Sequence, residues 1–336
     1  MTTARPEARL YGTYLRNNPL ERKLLMRRAD MIRAMREHLH VMQFTEVSTP
    51  VLCRARESAP IPQFDTTHPL TGEHFHLRHS AQDHLRRLAV AVDRVYDLGK
   101  MIRAEREDSV RAVEFTMCQA AARDLSLQQG IDLLINVVQR AVTVTYSTLQ
   151  SPAVDWSHIG VRTFDDLAAE VLQADEPLPE KELTAQARKW LSSHGHTAGT
   201  TDTDWEVLED FMKHALEANV TAPIVLTDFP YALRHNSRID EASGRAQRFS
   251  LIARGVECSD GGLKLRHAAD YKPMVDANIA LRTKLHGITG DPGPVDFYED
   301  LGSEPADVFT FGLGVDRLLA LCEGRDVHEV VAFPFH

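Results

Sequence analysis

Cysteine is scarce. The 336 residues hold four, Cys53, Cys118, Cys258 and Cys322, scattered and never in a C-x-x-C pair. This argues against a zinc site and against a disulfide framework, and a reducing cytosol suits the chain. Long apolar runs are missing, and the opening "MTTARPEARL" lacks the apolar core of a signal peptide. These absences predict a soluble cytoplasmic protein with no membrane partner. Excess positive charge is missing too. Lys and Arg total 38 against 48 Asp and Glu, a net charge of -10. That argues against a long nucleic-acid backbone as the main partner, because neutralising phosphates takes clustered Lys and Arg. It leaves a single nucleotide possible as ligand. No internal repeat and no low-complexity segment occurs.

What is present supports a sizeable core, since 43% of residues are hydrophobic. Leu25, Ile32, Met35 and Leu39 form one apolar stripe, which predicts a helix over 20–42. "FTEVSTPVL" (44–52) reads as a strand that Pro50 confines to an edge or an end. Strand character follows at 74–80, a helix at 81–92, then strands at 94–105 and 112–122 around the charged loop "REDSVR" (106–111). Residues 127–146 are an amphipathic helix. Residues 152 to about 220 turn polar and mostly helical, with a loop "HGHTAGTTDTD" (194–204), and read as an insertion. Strand signals return at 222–230, 248–262 and 307–314, with a helix at 271–287. Consecutive strands joined by turns, with segregated helices, predict an α+β fold on an antiparallel sheet of six to seven strands.

The chemistry concentrates in three arginines. Arg103 ends a strand, Arg111 ends the charged loop, and Arg317 follows Gly312 and Gly314 in "FTFGLGVDRLLAL". A guanidinium is a fixed fork that matches phosphate oxygens and stays charged at any working pH. Each alone reads as a solvated surface arginine. Three converging on one sheet would suit a triphosphate, with the glycines removing side chains so that a ligand can approach the backbone.

These segments resemble the class II aminoacyl-tRNA synthetases. "FTEVSTPVL" is similar to their first motif, "IRAEREDSVRAVEFTM" to the second and "GLGVDRLLAL" to the third, while "VHEVVAFP" (327–334) matches the usual ending. The similarity covers nearly the whole chain and is closest to the subgroup handling lysine, aspartate and asparagine. It implies one catalytic domain over 1–336 and a homodimer with Pro50 at its interface. It implies ATP and Mg²⁺ as cofactors, and an aminoacyl-adenylate as the product of carboxylate attack on ATP. By position, Arg103 would hold the substrate carboxylate and the α-phosphate, Glu105 the adenine amino group, and Phe115 the adenine ring. Arg111 and Arg317 would take the β/γ-phosphates, with Gly314 clearing space. Glu257 would hold Mg²⁺.

The departures are as informative. The catalytic pattern begins near Tyr14, which predicts no anticodon-binding domain and argues against a tRNA charged by its anticodon. Stand-alone relatives use other acceptors: one type modifies a lysine of elongation factor P, and another makes asparagine from aspartyl-adenylate. The expected activity is therefore amino-acid activation followed by transfer to an amine on a protein or small molecule. Amide formation from an acidic amino acid is the alternative. In the amino-acid pocket, Lys264 stands where lysine enzymes carry glutamate, favouring an acidic or amide side chain. A surface lysine on a neighbouring turn is the other reading. Gln82 and Gln119 replace acids near the substrate amine, and Leu85 replaces the lysine of aspartate enzymes. Ser250 occupies a metal-binding position usually held by Asp or Glu. A nucleotide-binding module with little catalysis would fit that change. His74 and His76 form an H-x-H pair with His79 and His84 following, read as surface or pocket-rim histidines. Cys118 and Cys258 read as buried fillers.

Overall fold

Strand β11 (Val308–Gly314) lies deep in the large sheet of the structure, a computed structural model describing residues 11–57, 59–123, 125–147, 151–196, 203–288, 297, 299–300 and 307–333. All seven of its residues are buried, so it reads as one apolar run with glycines instead of an alternating strand. It pairs antiparallel with β6 (Glu114–Arg123) on one side and β10 (Val256–Leu263) on the other. Beyond β6 lie β5 (Arg94–Ile102) and the short β1 (Thr45–Glu46). Beyond β10 lie β9 (Ala246–Ala253), β8 (Ile224–Phe229) and β7 (Gly160–Thr163). The fold is α+β, as expected, but the sheet has eight strands and is mixed. β1 runs parallel to β5, and β7 runs parallel to β8. The antiparallel expectation fails only at these two edges. β7 and its neighbour are joined through an intervening helical segment, which suits a parallel pair.

A second sheet of three short strands, β2 (Leu52–Cys53), β4 (His74–Leu77) and β3 (Asp65–Thr67), flanks the first. The stretch 44–52 is thus two separate strand fragments, broken around Pro50, and 248–262 is a hairpin instead of one strand. Helices α1 (Tyr11–Asn17) and α2 (Pro19–Val41) precede β1. The buried stripe of α2 is Leu24, Met31, Met35 and Leu39, so its face is turned slightly from the predicted one. Helix α3 (Gln82–Leu88) is shorter than predicted. Helix α4 (Leu127–Thr145) starts at a capping box in which the Ser126 hydroxyl accepts from the Gln129 N–H and the Gln129 side chain accepts from the Ser126 N–H.

One face of the sheet carries Cys118, Ala120 and Ala122 of β6, Phe309, Phe311 and Leu313 of β11, and Phe249 and Leu251 of β9. They share the main core with α2 and α4. The insertion holds α5 (Phe164–Leu172), α6 (Glu180–Ser193) and α7 (Asp204–Phe211), the last running on as a π-helical turn over Met212–Glu217. Its core packs on Leu226, Phe229, Ala246 and Ile252, at the β8–β9 end of the opposite face. The insertion is therefore mostly helical, as predicted, but its strand β7 also extends the sheet. Of the loop 194–204, residues 197–202 lie outside the described residues. α8 (Ala268–His286) covers the predicted 271–287 helix, and α9 (Val315–Glu323) starts directly at the end of β11. No described helix is long and apolar enough to cross a membrane.

Candidate active site

The second sheet face is where the polar residues collect, and strand periodicity explains how. Successive strand residues point to opposite faces, and cross-strand partners share a face. In register, Met101 opposes Phe115, Gln119 opposes Gly312, Gly312 opposes Asp260, and Asp260 opposes Ser250. One step past β5, Arg103 continues the same face. Its guanidinium lies 5.1 Å over the Phe115 ring. Glu257 needs a further device, because strict alternation from Asp260 would turn it to the core face. The register shift between Glu257 and Ser259 absorbs one residue, so Glu257 opposes Ile252. This bulge at Cys258 re-aims the carboxylate. The Ser250 hydroxyl then donates to Glu257 Oε2 at 2.8 Å.

The result is a cleft lined among others by Arg103, Glu105, Arg111, Phe115, Glu257, Asp260, Gly312, Gly314 and Arg317. Every residue predicted to contact ATP is therefore on one cleft wall or another. Arg111 sits in a tight turn of the β5–β6 loop, where Asp108 and Arg111 exchange backbone hydrogen bonds. Arg317, in the first turn of α9, donates from Nε to the Val110 carbonyl and from Nη1 to the Glu257 carbonyl, both at 2.9 Å. It thus ties loop to strand.

The two glycines differ. A Cβ at Gly312 would stand 2.9 Å from Met117 Cε, 3.3 Å from Gln119 Nε2 and 3.5 Å from Gln82 Nε2. At Gly314 the nearest atoms, the Cys258 carbonyl oxygen and Arg317 itself, are at ordinary contact distances of 3.5–3.6 Å. The close approach to neighbouring side chains belongs to Gly312, while a Cβ at Gly314 would meet only ordinary contacts on the cleft wall.

Charge is unevenly balanced in the cleft. Burial pulls the Arg103 guanidinium below its ordinary value, and the Arg317 cation adds to this, while Glu105 and Asp260 oppose it. Burial raises the Glu257 carboxyl, and Asp260 raises it further against Arg248, the Ser250 hydrogen bond and Arg317. Glu217, at the end of the π-helical turn, is pushed up to about 8 by burial and by Glu257 and Glu209. The cleft thus mixes convergent cations with closely spaced acids, an arrangement suited to a polyphosphate with its counter-ion.

The predicted amino-acid residues lie just outside the cleft lining. Gln82 and Gln119 flank Gly312. The Gln119 side chain is held by the Ala81 N–H, donating to Oε1 at 2.6 Å, and by Ser80 Oγ, accepting from Nε2 at 2.9 Å. Lys264 is 4% exposed, which overturns the surface-lysine reading, and its Nζ donates to Asn236 Oδ1 at 2.7 Å. Leu85 is buried against Met117 and Ala121, a packing position. Ser250 is fully buried. His74 and His76 are occupied with Thr67 and Asp65. His79 is no surface residue: it is 1% exposed, with Nδ1 2.7 Å from Glu57. No group of three or more metal-ligating side chains occurs among the described residues. Cys118 and Cys258 are buried, with thiols pushed up to about 12, as fillers should be.

Sequence reasoning missed Asp316, inside the glycine-arginine motif. It is 3% exposed and accepts from the Thr116 N–H at 2.7 Å and from Arg28 Nε and Nη2 at 3.1 and 3.0 Å. It clamps the N-terminus of α9, and so Arg317, to β6 and α2. Asp260 was also missed; its place four residues before Lys264, with Gly262 between them at alternate positions, was the available signal.

Comparison with known proteins agrees with this geometry. The family model of class II tRNA synthetases (D, K and N) matches residues 6–336. Similar curated proteins are the lysylphosphatidylglycerol biosynthesis bifunctional proteins LysX of Gordonia bronchialis, 26% identical over 354 residues, and of Mycobacterium avium, 28% over 347 residues. That of Mycobacterium tuberculosis is 27% identical over 354 residues. Each alignment covers 98% of this chain, and the chain spans only 29–30% of the length of these relatives.

Proposed function

The chain belongs to the class II tRNA synthetases of the aspartate, lysine and asparagine group, and from that membership we propose that it activates an amino acid with ATP and passes it to an amine acceptor other than tRNA. The observation that carries this is the meeting of Arg103, Phe115, Glu257 and Arg317 in one cleft. A carboxylate oxygen of the amino acid attacks the α-phosphorus, the bond to the bridging oxygen breaks, and pyrophosphate leaves with that electron pair. An aminoacyl-adenylate remains. The carboxylate is already ionised, so no general base is required in this step.

Arg103 holds the attacking carboxylate and the α-phosphate together, supplying charge where it develops. Phe115 stacks on the adenine and Glu105 accepts from its amino group. Arg111 and Arg317 grip the β/γ-phosphates. Glu257 would hold Mg²⁺ with the Ser250 hydroxyl beside it. Mg²⁺ is usually bound by one or two carboxylates together with substrate phosphates, so the residues present fit it without a preformed cage. When bound, the ion supplies neutralisation of phosphate charge.

In the second step an uncharged amine attacks the acyl carbon and AMP leaves. The relatives are named for making lysylphosphatidylglycerol, a lysyl group on a lipid, which supports an acceptor outside tRNA. Residues 1–336 then form one catalytic unit with 152–220 as its insertion. Val51 and Leu52, 41% and 50% exposed beside Pro50, support a homodimer through that edge.

ATP–pyrophosphate exchange without tRNA tests the reading, across aspartate, asparagine, glutamate, lysine and β-lysine. Exchange dependent on one amino acid is expected. ATP binding with no exchange for any of them would refute activation and favour a regulatory nucleotide-binding module.

A further inference from the structure

The chain holds a buried ion pair that the proposed reaction leaves unused. Arg78, the residue after β4, is 3% exposed, and so is Asp97 of β5. The Arg78 guanidinium donates from Nη1 to Asp97 Oδ2 at 2.8 Å and to the Thr49 carbonyl at 3.0 Å, and from Nε to the Lys100 carbonyl at 2.9 Å. Nη1 also donates to the Thr49 hydroxyl. Asp97 Oδ2 accepts from the Thr49 N–H and from the Thr49 hydroxyl, both at 2.8 Å. The main chain of Arg78 joins in. Its N–H donates to the Val51 carbonyl at 2.9 Å, and its carbonyl accepts from the Ile102 N–H at 3.0 Å. One residue thus holds the segment 49–51 and the end of β5 in a single arrangement.

Gly99 shows how closely the guanidinium is fitted. A Cβ there would overlap Arg78 Nη2 and stand 2.7 Å from Asp97 Oδ1. Stability alone is a poor reason for such a pair, since a well-packed apolar replacement is often as stable. A planar fork supplies fixed geometry instead, which a lysine cannot reproduce. What that geometry adjoins is Arg103. Ile102, whose N–H bonds the Arg78 carbonyl, is the residue before it. His79, the residue after Arg78, supplies the carbonyl that accepts from Arg103 Nε at 3.4 Å. The Arg103 N–H donates to the Val113 carbonyl at 2.9 Å, just before the strand that carries Phe115. The Nε bond is long, so the guanidinium is placed mainly by where its backbone is held.

We propose that Arg78 is a positioning residue: by fixing the end of β5 and the His79 carbonyl against the segment 49–51, it sets where the Arg103 guanidinium meets the α-phosphate. This rests on the placing of Arg103 at that phosphate. Arg78 is not part of the cleft lining and acts only through Arg103. A misplacement of about 1 Å at a catalytic group costs about 10²-fold in rate, so a fork outside the cleft is felt within it.

Isothermal titration calorimetry of the whole protein with AMP and with adenosine needs no turnover, and the ratio of the two affinities isolates the α-phosphate. Wild type should prefer AMP, and Arg103→Met should lose that preference. Arg78→Lys keeps a cation beside Asp97, and Gly99→Ala crowds the fork without altering its charge. Each should lower AMP affinity by about tenfold, with adenosine affinity unchanged as the folding control. In the Arg103→Met background neither should lower it further. An AMP preference lost in Arg103→Met but retained in both Arg78→Lys and Gly99→Ala would overturn the positioning role and leave the reading of Arg103 standing. Losses that add to that of Arg103→Met, or equal losses of AMP and adenosine, would do the same. No AMP preference in wild type, or one indifferent to Arg103→Met, would overturn that reading and the proposal with it. The expected AMP pattern without pyrophosphate exchange would uphold positioning and refute activation.

Discussion

Replacing Asp316 with alanine should be among the most damaging single changes at the edge of the site. Its carboxylate accepts three hydrogen bonds from two other segments, and Arg28 also donates from Nη2 to Thr116 Oγ1 at 2.6 Å. Asp316→Ala strands the Thr116 N–H, a cost of about 1–3 kcal/mol for a buried donor. It also leaves Arg28, whose side chain is 20% exposed, without its counter-charge. Breaking a buried pair from one side costs about 3–5 kcal/mol. The terms overlap and partial exposure relieves Arg28, so about 3–4 kcal/mol is expected in total. Urea unfolding with an unchanged m-value measures it. The cycle closed by Arg28→Met and the double variant should give a coupling of about 1.5–3 kcal/mol between the two positions. A loss under about 1 kcal/mol for Asp316→Ala, or zero coupling, would refute the clamp. If the clamp also positions Arg317, the folded fraction of the variant should exchange pyrophosphate more slowly than wild type at saturating ATP.

Arg317→Lys replaces a fork with a point charge and should lower exchange by about 10- to 100-fold, read as kcat/KM for ATP; an unchanged value would remove Arg317 from the phosphate site. Gly312→Ala displaces only the flexible end of Met117, so its stability should fall by less than about 1 kcal/mol, while its methyl, 3.3–3.5 Å from the Gln119 and Gln82 amides, raises KM for the amino acid more than for ATP. Burial lowers the Lys264 ammonium from 10.5 to about 8, so between those values the unfolded chain binds more protons and this residue makes stability rise with pH. Below pH 8 the buried charge opposes folding by about 3 kcal/mol, and Lys264→Met should therefore gain stability relative to wild type at pH 7 and lose that advantage by pH 10, as followed by urea unfolding. Cys53, Cys118 and Cys258 are buried with thiols near 12; at pH 8 they should react with a disulfide reagent only after denaturant is added, and rapid labelling of the native protein would contradict their packing.

Much of the fold was legible because its long elements are strongly periodic. The α4 stripe and the apolar run ending in Gly312 and Gly314 each admit one reading. The sheet edges were not legible. β1 is two residues long, and β7 is four residues inside a polar, helix-rich stretch. Neither has enough alternation to separate a strand from a loop, and parallel pairing leaves no turn signature between partners. Proline at position 50 marked an edge or an end, but not that the stretch would split into fragments joining different sheets.

The site divides along the same physical line. Arg103, Phe115 and Gly312 fall on one face by simple alternation across paired strands, and Arg317 follows in the first turn of α9, so residue type and spacing sufficed. Glu257 reaches that face only through the bulge at Cys258, which carries no glycine or proline of its own to announce it. Here the motif named the residue while its orientation was invisible. Lys264 and Arg86 show a different limit. Arg86 bonds the Leu265 carbonyl 179 residues away and Lys264 bonds Asn236 28 residues away, and nothing local tells a buried cation from a solvated one. Burial turns their charge from a surface ornament into an unpaired donor set. Reversing it with Lys264→Glu should therefore do more than weaken acid binding. Beside Asp260 and Asp83, a third carboxylate would make the surroundings of position 264 acceptor-rich, and retention of radiolabelled lysine in equilibrium dialysis with an ATP analogue should rise above that of wild type. A Lys264→Glu protein that folds, binds the ATP analogue and still excludes lysine would show that shape, not charge, selects the substrate.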